Sequence, residues 1–247
     1  MTLTVGSLFS GIGGLDLGLE RAGMEVIWQS EIDPYASRVL KKHWPKVPNY
    51  GDIKEIEWKT IRQPDVICGG YPCQPFSNAG KRKGQDDPRH LWPWVREAIS
   101  ELRPRYAILE NVRGHLSMGG MSVIGDLTNI GYDAEWRIVS AAGVGAPHKR
   151  ERIIIVAYPN NGELGNIDNR RSNAKSNGKR PEIFVSNSSS NSPSRTDLEW
   201  AFEPDVGRMA YGVPNRVDRL RGLGNAVVPQ VAEIVGRLVM AHANENQ

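Results

Sequence analysis

The chain has 247 residues, a formal net charge of +3, and 39% hydrophobic and 24% charged residues. This size allows one well-buried core with a small appendage, and the composition is ordinary for a globular protein. No run approaches the ~18 apolar residues of a membrane span, and no charged signal-peptide start is present, so we expect a cytoplasmic protein. Two cysteines exclude a disulfide framework and fit no zinc pattern, while the mild charge permits a nucleic-acid partner.

Strand-like and helix-like segments alternate along the first half of the chain. Strands are predicted at 3–9, 25–31, 65–69, 106–110, 137–141 and 152–158, and helices at 15–22, 34–43, 91–102, 118–129 and 227–240. Asp33 before Pro34 is typical of a helix start. The alternation predicts a doubly wound, mostly parallel α/β sheet, with the last two strands paired antiparallel at one edge.

The composition changes after the last predicted strand. Of the 38 residues from 160 to 197, 16 are Asn or Ser, so this segment cannot build a core of its own. It is either a disordered insertion or a small element that orders on a partner. We therefore predict three regions: 1–158, 159–215 and 216–247, of which the last returns to the first.

A glycine-rich turn, FSGIGG at 9–14, lies between the first predicted strand and helix. Ligands bind at the carboxyl ends of strands in such sheets, although a tight structural turn is the alternative. Glu31 ends the second predicted strand, where a carboxylate can accept hydrogen bonds from ribose hydroxyls. Asp52 follows the second helix and either accepts from an adenine amino group or is an exposed surface aspartate.

The stretch GGYPCQPFS places Cys73 just after the third predicted strand, between Pro72 and Pro75. The prolines stiffen the backbone around the thiol, which favours a nucleophile over a buried small hydrophobe. Cys68, inside the strand, is expected to be buried and inert.

Three charged side chains complete the candidate reaction centre. Glu110 ends the fourth predicted strand and is a candidate general acid, with loop capping as the alternative. Arg150 and Arg152 are expected on one face of a strand, where two guanidinium groups suit phosphate or carboxylate recognition. The alternative is an edge strand kept soluble by charge.

Five segments, in chain order, resemble motifs of the cytosine-5 DNA methyltransferase family. They are FSGIGG at 9–14 (cofactor loop), PCQ at 72–74 (catalytic loop), ENV at 110–112, HKRER at 148–152 (QxRxR except its first position) and GNAVVP at 224–229 (GNxV(x)P). Each is weak alone, but all five in order are specific. The chain resembles compact phage or bacterial members.

The resemblance implies a Rossmann-like, S-adenosylmethionine-dependent fold and a covalent mechanism. Cys73 would attack C6 of a cytosine flipped out of double-stranded DNA, Glu110 would engage N3, and Arg150 and Arg152 would hold the nucleotide. Expected to bind S-adenosyl-L-methionine are Phe9, Ser10, Gly11, Gly13, Gly14, Leu15, Glu31, Ile32, Asp52, Ile53, Pro72, Asn225 and Val227. Expected to bind DNA are Gln74, Ser77, Lys81, Arg82, Lys83 and His148.

The sequence departs from the family pattern in two places. His148 replaces the usual glutamine and could titrate near pH ~6.5. The interval that holds the target-recognition domain in the family is very short here. This predicts a minimal recognition element with a short target, and the alternative is a truncated module that recognises DNA only loosely.

Two rival functions differ in substrate or in activity. An RNA substrate is disfavoured because RNA-methylating members carry a Cys-Phe-Thr segment that this chain lacks. A non-enzymatic DNA-binding protein is disfavoured because every residue that the chemistry needs is present. The expected partners are double-stranded DNA and a cognate restriction endonuclease, with no membrane and no metal, and we expect a monomer in the cytoplasm of a prokaryotic or phage-infected cell.

Overall fold

The computed structural model describes residues 2–72, 91–118, 120–160 and 216–245. The strands are β1 (Thr4–Leu8), β2 (Glu25–Ser30), β3 (Val66–Gly69), β4 (Tyr106–Val112), β5 (Tyr132–Ser140) and β6 (Glu151–Pro159). The helices are α1 (Gly14–Arg21), α2 (Pro34–His43), α3 (Trp92–Leu102), α4 (Gly120–Asn129), α5 (Arg216–Asn225) and α6 (Pro229–Glu245). Short 3-10 helices cover Ile53–Glu55, Trp58–Thr60, Arg113–Met118 and Ala141–Val144.

Within the described residues the six strands form one sheet in the order β2-β1-β3-β4-β6-β5. The first four are parallel, whereas β6 is antiparallel to both β4 and β5. The predicted mostly parallel α/β fold and the antiparallel final pair are therefore confirmed. The β5–β6 connection is short enough for adjacent antiparallel strands, and β6 lies inside the sheet while β5 forms its edge.

Two hydrophobic clusters cover opposite faces of the sheet, as a doubly wound fold requires. On one face α1 and α6 pack on the sheet, with Leu19 and Val235 among the buried residues. On the other face α3 and α4 do so, with Ile99 and Leu127 fully buried. Both faces of the parallel strands are thus shielded from water, which explains their nearly continuous apolar sequences.

A local signal sets the start of α2. The Asp33 carboxylate accepts a hydrogen bond from the Ala36 amide, and Pro34 occupies the first turn of α2, so the predicted start is confirmed. The helix predicted from residue 118 begins instead at Gly120, after a 3-10 segment. β5 begins at Tyr132, five residues before its predicted start, because its half-exposed side chains hide the strand pattern.

The C-terminal helix returns to α1 through close contacts at small residues. A Cβ on Gly236 would lie 2.7 Å from the Ala22 side chain, so the helices approach too closely for a larger residue.

α6 begins at Pro229, not at residue 227, and α5 was not predicted. The stretch 217–245 is long and apolar enough to cross a membrane, but α6 buries Val231 and Val239 in the core, which accounts for its composition. The division into three regions stays a prediction.

Candidate functional site

A cavity of about 1080 Å³ opens at the carboxyl ends of β1, β2 and β3. Its described lining comes from the glycine-rich loop, the segments after β2 and α2, the end of β3, β4, β6 and the α5–α6 region. The predicted cofactor-binding residues in the lining are Phe9, Ser10, Gly11, Gly14, Leu15, Glu31, Ile32, Asp52, Ile53, Pro72, Asn225 and Val227. Sequence reasoning missed others, including Tyr35, Lys54 and Asp218.

The glycine-rich loop turns sharply between β1 and α1. Phe9, Gly11 and Gly13 all have positive φ, of 52°, 56° and 84°. The Glu31 carboxylate accepts a hydrogen bond from the Gly11 amide at one oxygen and from the Asp33 amide at the other, both at 2.7 Å. Glu31 thereby ties the loop after β1 to the loop after β2, and each of its oxygens retains a lone pair for a ligand hydroxyl.

Gly13, which was predicted to bind the cofactor, does not line the cavity. It precedes α1, and a Cβ at this position would overlap the ring of Trp44, the residue that follows α2. Gly13 therefore lets α1 approach α2, whereas the neighbouring Gly14 lies against the backbone of Val227.

A buried polar network below the loop was not predicted. The Asp16 carboxylate accepts hydrogen bonds from Ser7 Oγ at 3.0 Å and from Gln29 Nε2 at 2.9 Å, and Ser10 Oγ donates to Ser7. Asp16 is fully buried, and this burial raises its pKa from 3.8 to about 6. The network fixes Ser10, and with it the start of the glycine-rich loop, to the underlying strands.

Glu110 and Arg152 form an ion pair in the cavity. Arg152 Nε donates to Glu110 Oε1 at 2.7 Å, and Glu110 is only 8% exposed. Burial raises the pKa of Glu110, and Arg152 and Arg150 oppose this rise by favouring the charged form. Gly70 makes room for the carboxylate, since a Cβ there would lie 2.7 Å from Glu110 Oε2. Glu110 thus lies beside the backbone that leads to Pro72 and Cys73.

Two further side chains hold the backbone before Pro72. Asn111 Nδ2 donates to the Tyr71 carbonyl at 3.0 Å, and the Tyr71 hydroxyl is hydrogen-bonded to His115 Nε2 at 2.8 Å. His115 is buried, and the loss of solvation lowers its pKa to about 4, so it is neutral at pH 7. The roles of Tyr71 and His115 were missed, because their contact joins residues 44 apart in the chain.

Arg150 lies outside the strand on which it was predicted to share a face with Arg152. β6 begins at Glu151, and Arg150 precedes it with a positive φ of 24°. A backbone in this conformation breaks the two-residue alternation, so the Arg150 side chain reaches α5 and donates to the carbonyls of Gly224 and Ala226 at 2.7 and 2.6 Å.

The outcome for the other predicted residues is mixed. His148 is half-buried, and its Nδ1 atom has no hydrogen-bond partner among the described residues. Cys68 is fully buried in β3, as predicted, and burial raises the pKa of its thiol. Outside the described residues lie Cys73, Gln74, Ser77, Lys81, Arg82, Lys83 and the segment 161–215. No cluster of three or more His, Cys, Asp or Glu that could hold a metal occurs in the part of the chain that the structure describes.

Comparisons with known proteins agree with this geometry. The family model of the C-5 cytosine-specific DNA methylases matches residues 3–206, and the chain belongs to this family. It is 34% identical over 165 residues to the Type II methyltransferase M.HhaI of Haemophilus parahaemolyticus, an alignment that covers 65% of this chain and 50% of that protein. It is 39% identical over 165 residues to M.Eco47II of Escherichia coli, covering 64% of this chain and 40% of that protein.

Solved structures show the same relationship. A putative DNA modification methyltransferase encoded within an Escherichia coli prophage superposes with a TM-score of 0.55 at 31% identity, over 64% of this chain and 47% of that one. The Dnmt2 methyltransferase of S. pombe superposes with a TM-score of 0.56 at 25% identity, over 73% and 59%. The chain spans half or less of the length of the two Type II methyltransferases named above.

Proposed function

We propose that the chain is a DNA (cytosine-5-)-methyltransferase, which transfers a methyl group from S-adenosylmethionine to C5 of cytosine in double-stranded DNA. The observation that carries this proposal is one shared cavity. It holds the glycine-rich loop at one end and the Glu110–Arg152 pair at the other, next to Pro72, which directly precedes Cys73. Membership of the C-5 cytosine-specific DNA methylase family supports the same reaction.

The lining of the cavity fits S-adenosylmethionine. The half-buried Phe9 ring and the apolar Ile32 and Ile53 side chains suit an adenine ring, and the Glu31 and Asp52 carboxylates suit ribose hydroxyls and the adenine amino group. The volume of about 1080 Å³ lies just above the usual range for ligand sites. When bound, S-adenosylmethionine supplies an electrophilic methyl group.

Glu110, Arg152 and Cys73 would carry the chemistry on the cytosine. The Cys73 thiolate adds to C6, and the electron pair moves towards C5, which becomes a nucleophile. Glu110 would give a proton to N3 and so neutralise the ring as the adduct forms, and burial favours this role because it raises the pKa of Glu110. Arg152 orients that carboxyl group. After C5 has gained its methyl group, loss of the C5 proton to a base expels Cys73 and restores the ring.

The proposal is tested by incubating the full chain with DNA or RNA and S-adenosylmethionine that carries a labelled methyl group. We expect label in cytosine of DNA. Label only in RNA would contradict the proposed substrate, and no label in either would favour a non-enzymatic DNA-binding protein.

The two cysteines provide a matched pair for the covalent step. We expect Cys73→Ser to abolish both turnover and the stable adduct with DNA that carries 5-fluorocytosine, from which the C5 substituent cannot leave. Cys68→Ala removes a buried thiol from β3 and should keep the adduct, at some cost in stability. Full activity in Cys73→Ser would overturn the mechanism.

The biological setting is a further part of the proposal. We place the protein in the cytoplasm of a prokaryotic or phage-infected cell, as a monomer, with a restriction endonuclease as its partner in a modification system. The region 159–215 would give a short target sequence. Bisulfite sequencing of DNA from expressing cells should show methylation confined to one short motif, and methylation scattered over all cytosines would contradict this part.

A further inference from the structure

Arg150 makes contacts that differ from those expected of a residue that holds the substrate. Its Nη2 atom donates to the carbonyl oxygens of Gly224 at 2.7 Å and Ala226 at 2.6 Å. Gly224 belongs to the last turn of α5, and Ala226 follows that helix. The last carbonyls of a helix lack partners within the helix and attract cations, so Arg150 caps α5 from a position 74 residues earlier in the chain.

The backbone of Arg150 adopts a strained conformation. Its φ of 24° is rare for a residue with a side chain, and such strain persists only where the surroundings enforce it. The neighbouring Lys149 carbonyl accepts hydrogen bonds from the Ala141 amide at 2.9 Å and from Ser140 Oγ at 2.8 Å. These bonds anchor the segment to the end of β5, and β6 starts directly after Arg150, at Glu151.

The segment that Arg150 caps forms one wall of the cavity. Gly224, Asn225, Ala226 and Val227 all line it, and the Val227 backbone lies against Gly14 at the start of α1. The position of this wall therefore decides the space beside the glycine-rich loop. Arg150 ties the wall to β6, the strand that also carries Arg152.

We propose that Arg150 is a positioning residue, which holds the C-terminal wall of the S-adenosylmethionine site and connects it to the Glu110–Arg152 pair. This inference rests on the proposed function, and it replaces the expected direct role of Arg150 on the flipped nucleotide. A planar guanidinium suits two acceptors on one turn better than a flexible ammonium does, because its donors are fixed relative to each other.

Calorimetric titration of the DNA-free protein with S-adenosylmethionine tests the inference. Arg150→Met removes the donors and the charge while it retains an unbranched side chain, and we expect the Kd for S-adenosylmethionine to rise about tenfold or more. Arg150→Lys should give an intermediate rise. Arg113→Met, which removes another guanidinium from an exposed ion pair, should leave this Kd within about twofold.

Hydrogen exchange provides a readout that does not depend on the ligand. The Ala226 amide donates to the Gly222 carbonyl at 2.9 Å, and loss of the cap should speed exchange in 222–227 in Arg150→Lys but not in Arg113→Met. This measurement applies to the conservative variant even if Arg150→Met fails to fold. Steady-state kinetics should show a larger effect on KM for S-adenosylmethionine than on kcat.

The outcomes separate this inference from the proposed function. If the wild-type protein does not bind S-adenosylmethionine, both the proposed function and the positioning role of Arg150 are refuted. If the wild-type protein binds S-adenosylmethionine and both Arg150→Met and Arg150→Lys bind it with the same Kd but bind DNA more weakly, the positioning role is overturned. The proposed function is then unaffected.

Discussion

The two ends of the cavity are built by different physical means. Beside β1 and β2, neutral donors bind the acidic groups. Backbone amides donate hydrogen bonds to Glu31, and buried hydroxyl and amide side chains donate to Asp16. Beside β4 and β6, the guanidinium of Arg152 holds Glu110. The first end therefore depends on backbone geometry and space, and the second depends on charge. Substitutions that change only shape or only charge should affect the two ends unequally.

The largest effect is expected from a change of charge at the second end. Glu110→Gln keeps the side-chain size and an acceptor for Arg152 but cannot supply a proton to the base, so we expect methyl transfer to slow by about 10²–10⁴-fold in single-turnover assays. The Kd for S-adenosylmethionine should stay within about twofold.

Glu135→Gln is the matched control for that variant, because Glu135 lies on the edge strand β5, accepts a hydrogen bond from the Tyr158 hydroxyl and does not line the cavity. It should keep the wild-type rate. A Glu110→Gln rate within about fivefold of wild type would show that the charged end does not depend on its charge.

A change of shape at the first end comes next. In Gly14→Ala the new Cβ would overlap the Val227 carbonyl and lie 3.1 Å from the Val227 amide nitrogen, and the backbone cannot easily give way. We expect the free energy of unfolding in urea to fall by about 1–3 kcal/mol, together with weaker cofactor binding.

Gly125→Ala serves as the control for added volume. It lies in α4 with nothing within 4 Å of its new Cβ, so it should be neutral or stabilising by up to ~1 kcal/mol. Equal stability of the two variants would contradict the steric basis of the first end.

A pH experiment examines the neutral donors around Asp16. The native pKa is raised to about 6, so the native state keeps a proton that the unfolded chain loses above 3.8, and stability is lost as the pH rises through about 6. Asp16→Asn lacks this titration. Between pH 4 and 7.5 wild type should lose about 1–3 kcal/mol of unfolding free energy relative to the variant.

The difference between the two proteins is the diagnostic quantity in this experiment. His115, with its pKa lowered to about 4, contributes the opposite slope in the same window, since stability falls there as the pH falls. That contribution is common to both proteins and cancels. A difference that does not vary with pH would mean that Asp16 titrates normally and that its donors compensate for burial.

The smallest effect is expected at an exposed charge pair. Arg113 and Glu151 lie 2.7 Å apart, but their side chains are 62% and 38% exposed, so solvent screens the attraction. Arg113→Ala should lower the free energy of unfolding by less than ~1 kcal/mol, and by less still in 0.5 M salt. A loss of ~2 kcal/mol or more would show that burial is not what distinguishes Glu110 and Arg152.

Much of the cavity could be predicted because its residues follow local rules. Glu31 ends a strand, the glycine-rich loop links a strand to a helix, and Pro34 begins a helix, and in a parallel sheet such positions converge on one edge. Asp16 could not be assigned in this way. Its helical position favours burial, but whether it meets another charge or neutral donors depends on Ser7 and Gln29 from two different strands.

The sequence alone predicted the order of the six strands and of every described α-helix except α5, together with the start of α2 and the motif positions, since these depend on neighbours within a few residues. Tertiary structure decided the hydrogen-bond and ion-pair partners of each polar side chain. Two-residue alternation placed Arg150 beside Arg152, yet the folded chain gives Arg150 a positive φ and directs its guanidinium to Gly224 and Ala226. That contact joins Arg150 to residues 74 and 76 positions later in the chain, a separation that no local pattern encodes.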